Sequence, residues 1–236
     1  MNDNSLNLSP RLKKIAELVP PNCCTADIGT DHAYIPIALV SKGITPRAIA
    51  SDIKKGPLER ASANIFNHGL KKEIETRLGA GLTTLSKDDK AEVIIIAGMG
   101  GILISDILET SQDIVKSAKL LILQPMTAVT ELRKYLSENH YEITAEYLEA
   151  EEEKIYNIIT AKPAGNTPYT LSELYLGKGL DKTSPQLVGR YEQSVLTKLN
   201  KRIDGLEKSQ NPENKRELEE TTNLLKTLNE EVNFND

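Results

Sequence analysis

Until about residue 140, apolar residues recur in short continuous runs, and each run is followed by a segment whose apolar positions have helical spacing. Continuous runs of this length are typical of strands that are buried on both faces of a parallel sheet. Their alternation with helices predicts a doubly wound, Rossmann-like α/β fold. The predicted strands comprise residues 24–28, 48–53, 74–78, 93–97 and 120–123.

The pattern departs from this alternation before the first strand and after the last helix. A helix is predicted to begin after Ser9, with Ser9 as its N-cap and Pro10 in its first turn. Two later strand-like runs, residues 141–148 and 154–161, have no helix between them, so they must pair antiparallel. A sheet of seven strands that ends in such a hairpin is similar, by fold-level analogy alone, to class I methyltransferases.

The last third of the chain has a different pattern. A connector rich in Gly, Pro, Ser and Thr leads into two runs with apolar residues every three or four positions, 188–206 and 218–232, separated by a break at 209–212. Two helices joined by a short turn predict an antiparallel hairpin, or coiled coil. We therefore expect two domains, residues 1–163 and 164–236. The hairpin is either a structural buttress, a dimer handle or an arm that grips a substrate.

Composition and charge limit the ligands and the cellular compartment that we expect for this protein. The formal net charge of −5 excludes a global basic field, although local basic patches stay possible. Cys23 and Cys24 are the only cysteines, and adjacent cysteines do not form a disulfide framework, which favours a reducing compartment. No apolar run approaches the roughly 20 residues of a membrane span, and residues 1–4 lack the features of a signal peptide. We expect a cytoplasmic protein without membrane contact. We also expect no metal, because no His, Cys and carboxylate cluster has ligand spacing.

The most informative motif is DIGTDHAY at residues 27–34, where a strand runs into a glycine turn and a helix. A dinucleotide-binding turn needs three glycines, but Asp31 and Tyr34 occupy the second and third of those positions after Gly29. The Asp31 carboxylate would repel a pyrophosphate, with no compensating charge visible in the sequence. S-adenosylmethionine has no phosphate, and its sulfonium and ammonium groups are cations that Asp27 and Asp31 would favour.

Three further motifs follow later strands, at the sheet edge where open α/β proteins bind their ligands. Asp52 lies about 20 residues beyond the glycine turn, where a carboxylate can accept hydrogen bonds from both ribose hydroxyls, or can simply cap the next turn. The segments GAG at 79–81 and AGMGG at 97–101 predict close approach of a ligand to the backbone. The predicted cofactor-binding residues are Asp27, Gly29, Thr30, Asp31, His32, Asp52, Ile53, Gly79, Ala80, Gly81, Gly98 and Met99.

Together these motifs, with GP at 56–57 and LILQP at 121–125, resemble the bacterial tRNA (adenine-N1) methyltransferases that modify position 22 of tRNA. The resemblance covers about residues 8–161, and the helical hairpin is similar to the C-terminal coiled-coil domain of that family. It implies a class I methyltransferase that uses S-adenosylmethionine on adenine 22, in the D-arm region. The family usually has Gly-Asp-Gly where this chain has Ala80, so the carboxylate that would accept from the cofactor's exocyclic amine is absent.

The residues themselves are consistent with methylation of a ring nitrogen. Methylation of an exocyclic amine commonly uses an Asn- or Asp-Pro-Pro-Tyr loop after the fourth strand, where this chain has residues 97–101. Adenine N1 has an in-plane lone pair and no proton to lose, so no general base is expected, and the rate must come from alignment and electrostatics. N1 lies on the Watson–Crick edge, so the base must be unpaired or extruded. The residues predicted to position the base are Gly98, Met99, Gly100 and Tyr34.

Other readings of several residues stay open at this point. Tyr34 can stack on the base or pack beneath the turn, and His32 can be a cap, a cofactor contact or a catalytic group. The residues predicted to bind RNA are Lys54, Lys198, Lys201 and Arg202. We expect tRNA as the partner of a monomeric enzyme. The alternatives are a methyltransferase for a small molecule or protein, and a noncatalytic RNA-binding scaffold.

Overall fold

A computed structural model describes residues 6–209 and 214–234. The chain divides into two compact units, Met1–Pro168 and Tyr169–Asp236. The strands are β1 Thr25–Ile28, β2 Ala48–Asp52, β3 Ile74–Leu78, β4 Val93–Gly100, β5 Leu120–Thr127, β6 Glu142–Glu151 and β7 Lys154–Lys162. The helices of the first unit are α1 Pro10–Glu17, α2 Tyr34–Ser41, α3 Lys55–Asn67, α4 Gly101–Thr110, α5 Gln112–Val115 and α6 Val129–Glu138. Those of the second unit are α7 Leu171–Leu176, α8 Pro185–Glu207 and α9 Asn214–Phe234.

One seven-stranded sheet organises the first unit, with the order β3-β2-β1-β4-β5-β7-β6. Strands β1 to β5 are parallel, and β7 pairs antiparallel with both β5 and β6. The predicted doubly wound fold and its terminal hairpin are confirmed. The hairpin does not simply extend the sheet, because its second strand is inserted between β5 and β6.

The central strand β4 shows why both faces of the sheet are covered. Ile94 and Ile96 are fully buried in a core cluster that includes residues of α4 and α6. Val93 and Ile95 point to the other face and are fully buried with residues of α1 and α2. Successive side chains of a strand point to opposite faces, so a run that is apolar throughout needs helices on both sides.

The N-terminus of α1 differs in one detail from the prediction. Ser9 is the N-cap residue, but its side chain caps no backbone N–H of the helix. Its hydroxyl instead donates to Glu151 Oε1 at 2.6 Å, and the same oxygen accepts from the Arg11 N–H at 2.8 Å. A carboxylate at the end of β6 therefore takes the place of the predicted serine cap, and it also complements the positive end of the helix dipole.

The second unit is built around the two long helices that the apolar spacing predicted. Their contact buries Leu196, Leu199 and Leu228 in a small apolar cluster that also includes Leu176 of α7. Arg202, near the end of α8, hydrogen-bonds Glu217, near the start of α9, through its Nε and Nη2 atoms at 3.0 and 2.7 Å. This contact joins the end of one helix to the start of the next, as in an antiparallel hairpin. Most of the predicted break at 209–212 lies outside the described residues.

The described residues include neither a helix that could span a membrane nor a cluster of side chains that could hold a metal ion. None of the helices within 6–209 and 214–234 combines the length with the apolar composition that a bilayer span requires. In the same ranges, no group of three or more His, Cys, Asp or Glu side chains is arranged to hold a metal ion.

A buried ion pair fastens the terminal hairpin to α6. Arg133, which is fully buried, donates from Nε and Nη2 to Glu146 Oε2 of β6 at 2.9 and 2.8 Å. Its Nη2 also donates to Asn157 Oδ1 of β7 at 3.0 Å. Removal of one partner of such a pair leaves the other charge buried without compensation, which costs far more than the net contribution of the intact pair.

We expect Arg133→Met to lower the free energy of unfolding by about 3–5 kcal/mol, because it leaves the buried Glu146 carboxylate without its cation. The matched control is Lys134→Met at the next position, since Lys134 pairs with Glu138 on the exposed surface of the same helix. This control should cost no more than about 0.5 kcal/mol. Urea unfolding of the three proteins measures both values. Equal losses in the two variants would contradict the assigned role of the buried pair.

Candidate functional site

The residues predicted to bind the cofactor lie along one edge of the sheet, because the parallel strands β1 to β4 all end there. Strand β1 lies between β2 and β4 in the sheet. From β1 the chain continues to β2 and β3 on one side, and it then crosses to the other side of β1 to form β4. This arrangement is the topological switch point, where open α/β sheets form a crevice. The crevice contains a cavity of about 290 Å³. The residues that line the cavity are Arg11, Leu12, Asp27, Gly29, Thr30, Asp31, Tyr34, Ile35, Ala97 and Gly98.

The turn after β1 has a strained backbone that is fixed to the neighbouring strand. Gly29 has a φ of +77°, and its N–H and that of Thr30 both donate to the Ser51 carbonyl at 2.8 Å. A Cβ atom at Gly29 would also overlap the Met99 Cε. His32 and Ala33 have φ values of +67° and +53°, a conformation that side-chain-bearing residues rarely adopt and that concentrates at functional sites.

The aromatic and charged side chains of this turn contact one another. The His32 ring stacks on Tyr34, with ring centroids 5.2 Å apart and planes 7° from parallel, and the Tyr34 side chain stays exposed. Asp31 Oδ1 lies 2.9 Å from Arg60 Nη2 of α3 and 3.6 Å from His32 Nε2. Asp31 therefore has a compensating charge that is not visible in the sequence, because α3 brings the Arg60 guanidinium to it. Asp31 nevertheless lines the cavity, as the argument for a cationic ligand requires.

Asp27 is the buried acid of the cavity. Its side chain lies at the end of β1 with 6% of its surface exposed, and burial raises its pKa to about 6. The nearby Thr30 hydroxyl lowers this pKa and the Asp52 carboxylate raises it, both by less than burial does. Thr30 Oγ1 lies outside hydrogen-bond geometry to Asp27. Together with Ser51 Oγ, it is a buried hydroxyl oxygen without a hydrogen-bond partner in the described part of the chain.

Asp52 and the 79–81 segment lie next to each other at the ends of β2 and β3. The Asp52 carbonyl accepts from the Gly79 N–H at 3.0 Å. The Asp52 carboxylate accepts from the Lys54 N–H through Oδ1 at 2.6 Å, so the turn-capping role is real. The Oδ2 atom makes no hydrogen bond within the described ranges, so it can still accept from a ligand. Ile53 and Leu78 are 65% and 58% exposed at this edge, and Ala80 is also exposed.

The glycines at the end of β4 and at the start of α4 have two different roles. Gly98 has a φ of +78° and lines the cavity. A Cβ at Gly98 would find only Arg11 Nη1 nearby, at 4.0 Å. A Cβ at Gly100 would lie 3.2 Å from Thr127 Oγ1, and one at Gly101 would overlap the Ala128 carbonyl oxygen. The idea that all these glycines make room for a ligand is therefore corrected for Gly101, which is needed for the packing of α4 against the end of β5. Gly100 is less confined, because the Thr127 hydroxyl belongs to a side chain and would have to move by only a few tenths of an ångström.

Sequence reasoning missed Arg11 as a residue of this site. Its Nη1 donates to Gln124 Oε1, which also accepts from the Gly98 N–H at 3.1 Å. Its guanidinium lies 5.1 Å from the centre of the Tyr156 ring. Nothing in the sequence marks Arg11 for this role, because its position depends on how α1 crosses the sheet.

The residues predicted to bind RNA are exposed but differ in their partners. Lys198 and Lys201 lie on the exposed surface of α8 and form no ion pair with any described residue. Arg202 is engaged by Glu217, so its predicted role in binding RNA has to compete with an intramolecular pair. Lys54 is the exposed N-cap residue of α3, beside Asp52.

Comparison with known proteins agrees with this geometry. The model of a methyltransferase domain family matches residues 8–159. The tRNA (adenine(22)-N(1))-methyltransferase of Bacillus subtilis (strain 168) is 37% identical over 177 residues, which are 75% of this chain and 74% of that protein.

Two solved structures extend the similarity over nearly the whole chain. The B. subtilis m1A22 tRNA methyltransferase TrmK is 30% identical, covers 95% of this chain and 99% of its own, and superposes with a TM-score of 0.84. Streptococcus pneumoniae Sp1610 in complex with S-adenosyl-L-methionine is 34% identical, covers 94% and 99% of the two chains, and has a TM-score of 0.79. This chain therefore belongs to the methyltransferase-domain family and, within it, to the bacterial tRNA (adenine(22)-N(1))-methyltransferases.

Proposed function

We propose that this protein transfers the methyl group of S-adenosylmethionine to N1 of adenine 22 in tRNA. The observation that carries the proposal is the cavity at the switch point, with the buried acid Asp27 in its wall, in a chain 37% identical to a B. subtilis enzyme of that name. A tRNA substrate agrees with the cytoplasmic location that we expect. Because the cavity and the helical hairpin come from one chain, we expect a monomer to be active.

The cavity residues fit S-adenosylmethionine in charge and in hydrogen bonding. Asp27 would favour the cationic end of the ligand, and the buried Thr30 hydroxyl, which has no hydrogen-bond partner within residues 6–209 and 214–234, can bond to it. Asp52 Oδ2 is placed to accept from ribose hydroxyls. The exposed apolar side chains of Ile53 and Leu78 flank the region where an adenine ring would lie. We infer that backbone groups of the 79–81 segment read the adenine amine in place of the missing carboxylate.

For this methyl transfer the protein has to align adenine N1 with the methyl donor and to stabilise the positive charge that develops on the adenine ring. S-adenosylmethionine supplies a methyl group from its sulfonium; the N1–carbon bond forms with the N1 lone pair as the sulfur–carbon bond breaks, and the positive charge moves from sulfur to the adenine ring. No proton leaves N1, so no residue has to act as a base. The exposed Tyr34 ring, held by its stack on His32, is placed to pack against an extruded base.

The product of the reaction tests the proposal directly. Purified protein, labelled S-adenosylmethionine and unmodified tRNA should give 1-methyladenosine and no N6-methyladenosine in neutral digests. A tRNA with guanosine at position 22 should accept no label, because guanine N1 carries a proton and the site offers no evident base. Label in an exocyclic amine, or in the guanosine tRNA, would contradict the N1 assignment. Label only in a pool of small metabolites would favour the alternative substrate class, and no cofactor binding at all would favour the scaffold.

We expect Asp52→Ala to weaken S-adenosylmethionine binding about 10- to 150-fold, because it leaves hydroxyl donors without a charged acceptor. Asp52→Asn is the matched control, since its amide oxygen can still accept from the Lys54 N–H and preserve the turn. Its affinity should lie between those of the other two proteins. Calorimetry measures all three. An unchanged affinity in a folded Asp52→Ala protein would remove Asp52 from the cofactor site.

Lys198 and Lys201, which form no ion pair with any residue that the structure describes, provide a test of the hairpin as an RNA-binding arm. We expect Lys198→Ala combined with Lys201→Ala to weaken tRNA binding and to lower the slope of log affinity against log salt by about one to two. Lys226→Ala, at an exposed position of α9, is the control for general loss of charge. Filter binding at several salt concentrations gives both quantities. An unaltered slope in the double variant would support the buttress or dimer handle instead.

A further inference from the structure

Strands β4 and β5 depart from regular pairing where they reach the ligand-binding edge of the sheet. The last pairs of their ladder are Ala97–Gln124, Met99–Pro125 and Gly100–Thr127. The register therefore skips Gly98 on β4 and Met126 on β5, which makes two successive bulges. Bulges are rare between parallel strands, and they concentrate next to active sites, where they change the direction of a side chain. Gly98, with its φ of +78°, and Pro125, which has no N–H for the ladder, both favour this irregular pairing.

The buried amide of Gln124 contacts both residues that the register skips. Its Oε1 accepts from the Gly98 N–H at 3.1 Å and from Arg11 Nη1. Its Nε2 donates to the Pro125 carbonyl at 2.9 Å and to Met126 Sδ at 3.6 Å. A bulge takes a backbone N–H out of the ladder, so that group needs another acceptor. Gln124, which is fully buried, supplies this acceptor and also holds the Met126 thioether.

Met126 lies on the side of the cavity from which the substrate has to approach. The order of the strands in this part of the sheet is β2-β1-β4-β5. With the cofactor ribose at Asp52 of β2, the methyl donor has to extend across β1 towards Gly98, which lines the cavity. Adenine N1 attacks the methyl carbon opposite the departing sulfur, so the base has to enter from the β5 side. Met126 is 44% exposed at that end of β5.

We propose that Met126 contacts the target adenine, and that Gln124 is the positioning residue that holds Met126 and the Gly98 bulge for this contact. The inference rests on the proposed function. A thioether makes favourable contacts with aromatic rings, and its polarisable sulfur suits a ring on which positive charge develops. The hydrogen bond from Gln124 keeps this exposed and otherwise flexible side chain in one place, so less conformational entropy is lost when the base enters.

We expect Met126→Ala to lower kcat/KM for tRNA methylation about 3- to 10-fold, because a sulfur–aromatic contact to the base is lost. Its affinity for S-adenosylmethionine, measured by calorimetry, should stay within about twofold of the wild-type value. A tRNA with 2-aminopurine at position 22 should show a smaller rise in fluorescence on binding to this variant than to the wild type. Phe66→Ala is the control, because Phe66 is a 62% exposed apolar residue near the end of α3, away from the cavity.

Gln124→Glu separates the two functions of the amide. Its carboxylate oxygens can still accept from the Gly98 N–H and from Arg11 Nη1, but the donor to the Pro125 carbonyl and to Met126 Sδ is lost. We expect kcat/KM to fall about 10-fold, with cofactor affinity within about threefold of the wild-type value. The double variant with Met126→Ala should lose far less than the product of the two single losses, since both changes remove the same contact.

Met126→Leu tests the same link if the Gln124 variant does not fold, because it keeps the size of the side chain and removes the sulfur. Its kcat/KM should lie between those of the wild type and Met126→Ala. Wild-type kcat/KM and fluorescence in Met126→Ala would overturn the proposed contact. So would a loss of activity matched by a loss of cofactor affinity, which would assign Met126 to the cofactor. Fully multiplicative losses in the double variant would refute the positioning role of Gln124. A wild-type protein that does not methylate tRNA would instead refute the proposed function itself.

Discussion

The whole arrangement depends on the need to cover both faces of the parallel sheet. Ile94 and Ile96 require helices on one side of β4, while Val93 and Ile95 require them on the other. With both faces occupied, a ligand can approach only at the ends of the strands. The residues that we expect to bind ligands are therefore concentrated at and just after the carboxyl ends of β1, β2, β3 and β4. It is also why the glycine turn after β1 and the Asp52 carboxylate of β2 lie at one edge of the sheet although they are far apart in the sequence.

Asp27 and Asp31, on either side of Gly29, have different environments although they are four residues apart. Asp31 is exposed and lies beside Arg60, so its charge is partly balanced by α3. Asp27 is buried, and an increase of its pKa from 3.8 to about 6 means that its ionised form costs the folded protein roughly 3 kcal/mol at neutral pH. A cationic ligand in the cavity would offset that cost. Without a ligand, the ionised Asp27 therefore lowers the stability of the folded protein, at the position where we expect a cation to bind.

The sequence predicts the fold and much of the site because both have local signals. The strand Ile74–Leu78 was predicted to the residue, and Asp27, Gly29 and Gly98 were expected at the cavity that they line. What the sequence could not reveal depends on contacts between distant segments. The position of Arg11 over Gly98 depends on how α1 crosses the sheet. The pairing of Asp31 with Arg60 and the confinement of Gly101 by Ala128 likewise depend on contacts between distant segments.

The Glu151 carboxylate connects the end of β6 to the start of α1, two segments that leave the ribosome at different times. It lies at the end of β6, yet it accepts from Ser9 and from the Arg11 N–H at the start of α1, about 140 residues earlier. Tyr156, which packs against the Arg11 guanidinium, belongs to the last strand of the sheet. During synthesis on the ribosome, the first helix therefore emerges long before the groups that fix it. A nascent chain that already has β1 to β5 would still lack two of the groups that contact Arg11, the Glu151 carboxylate and the Tyr156 ring, until the terminal hairpin has emerged and folded.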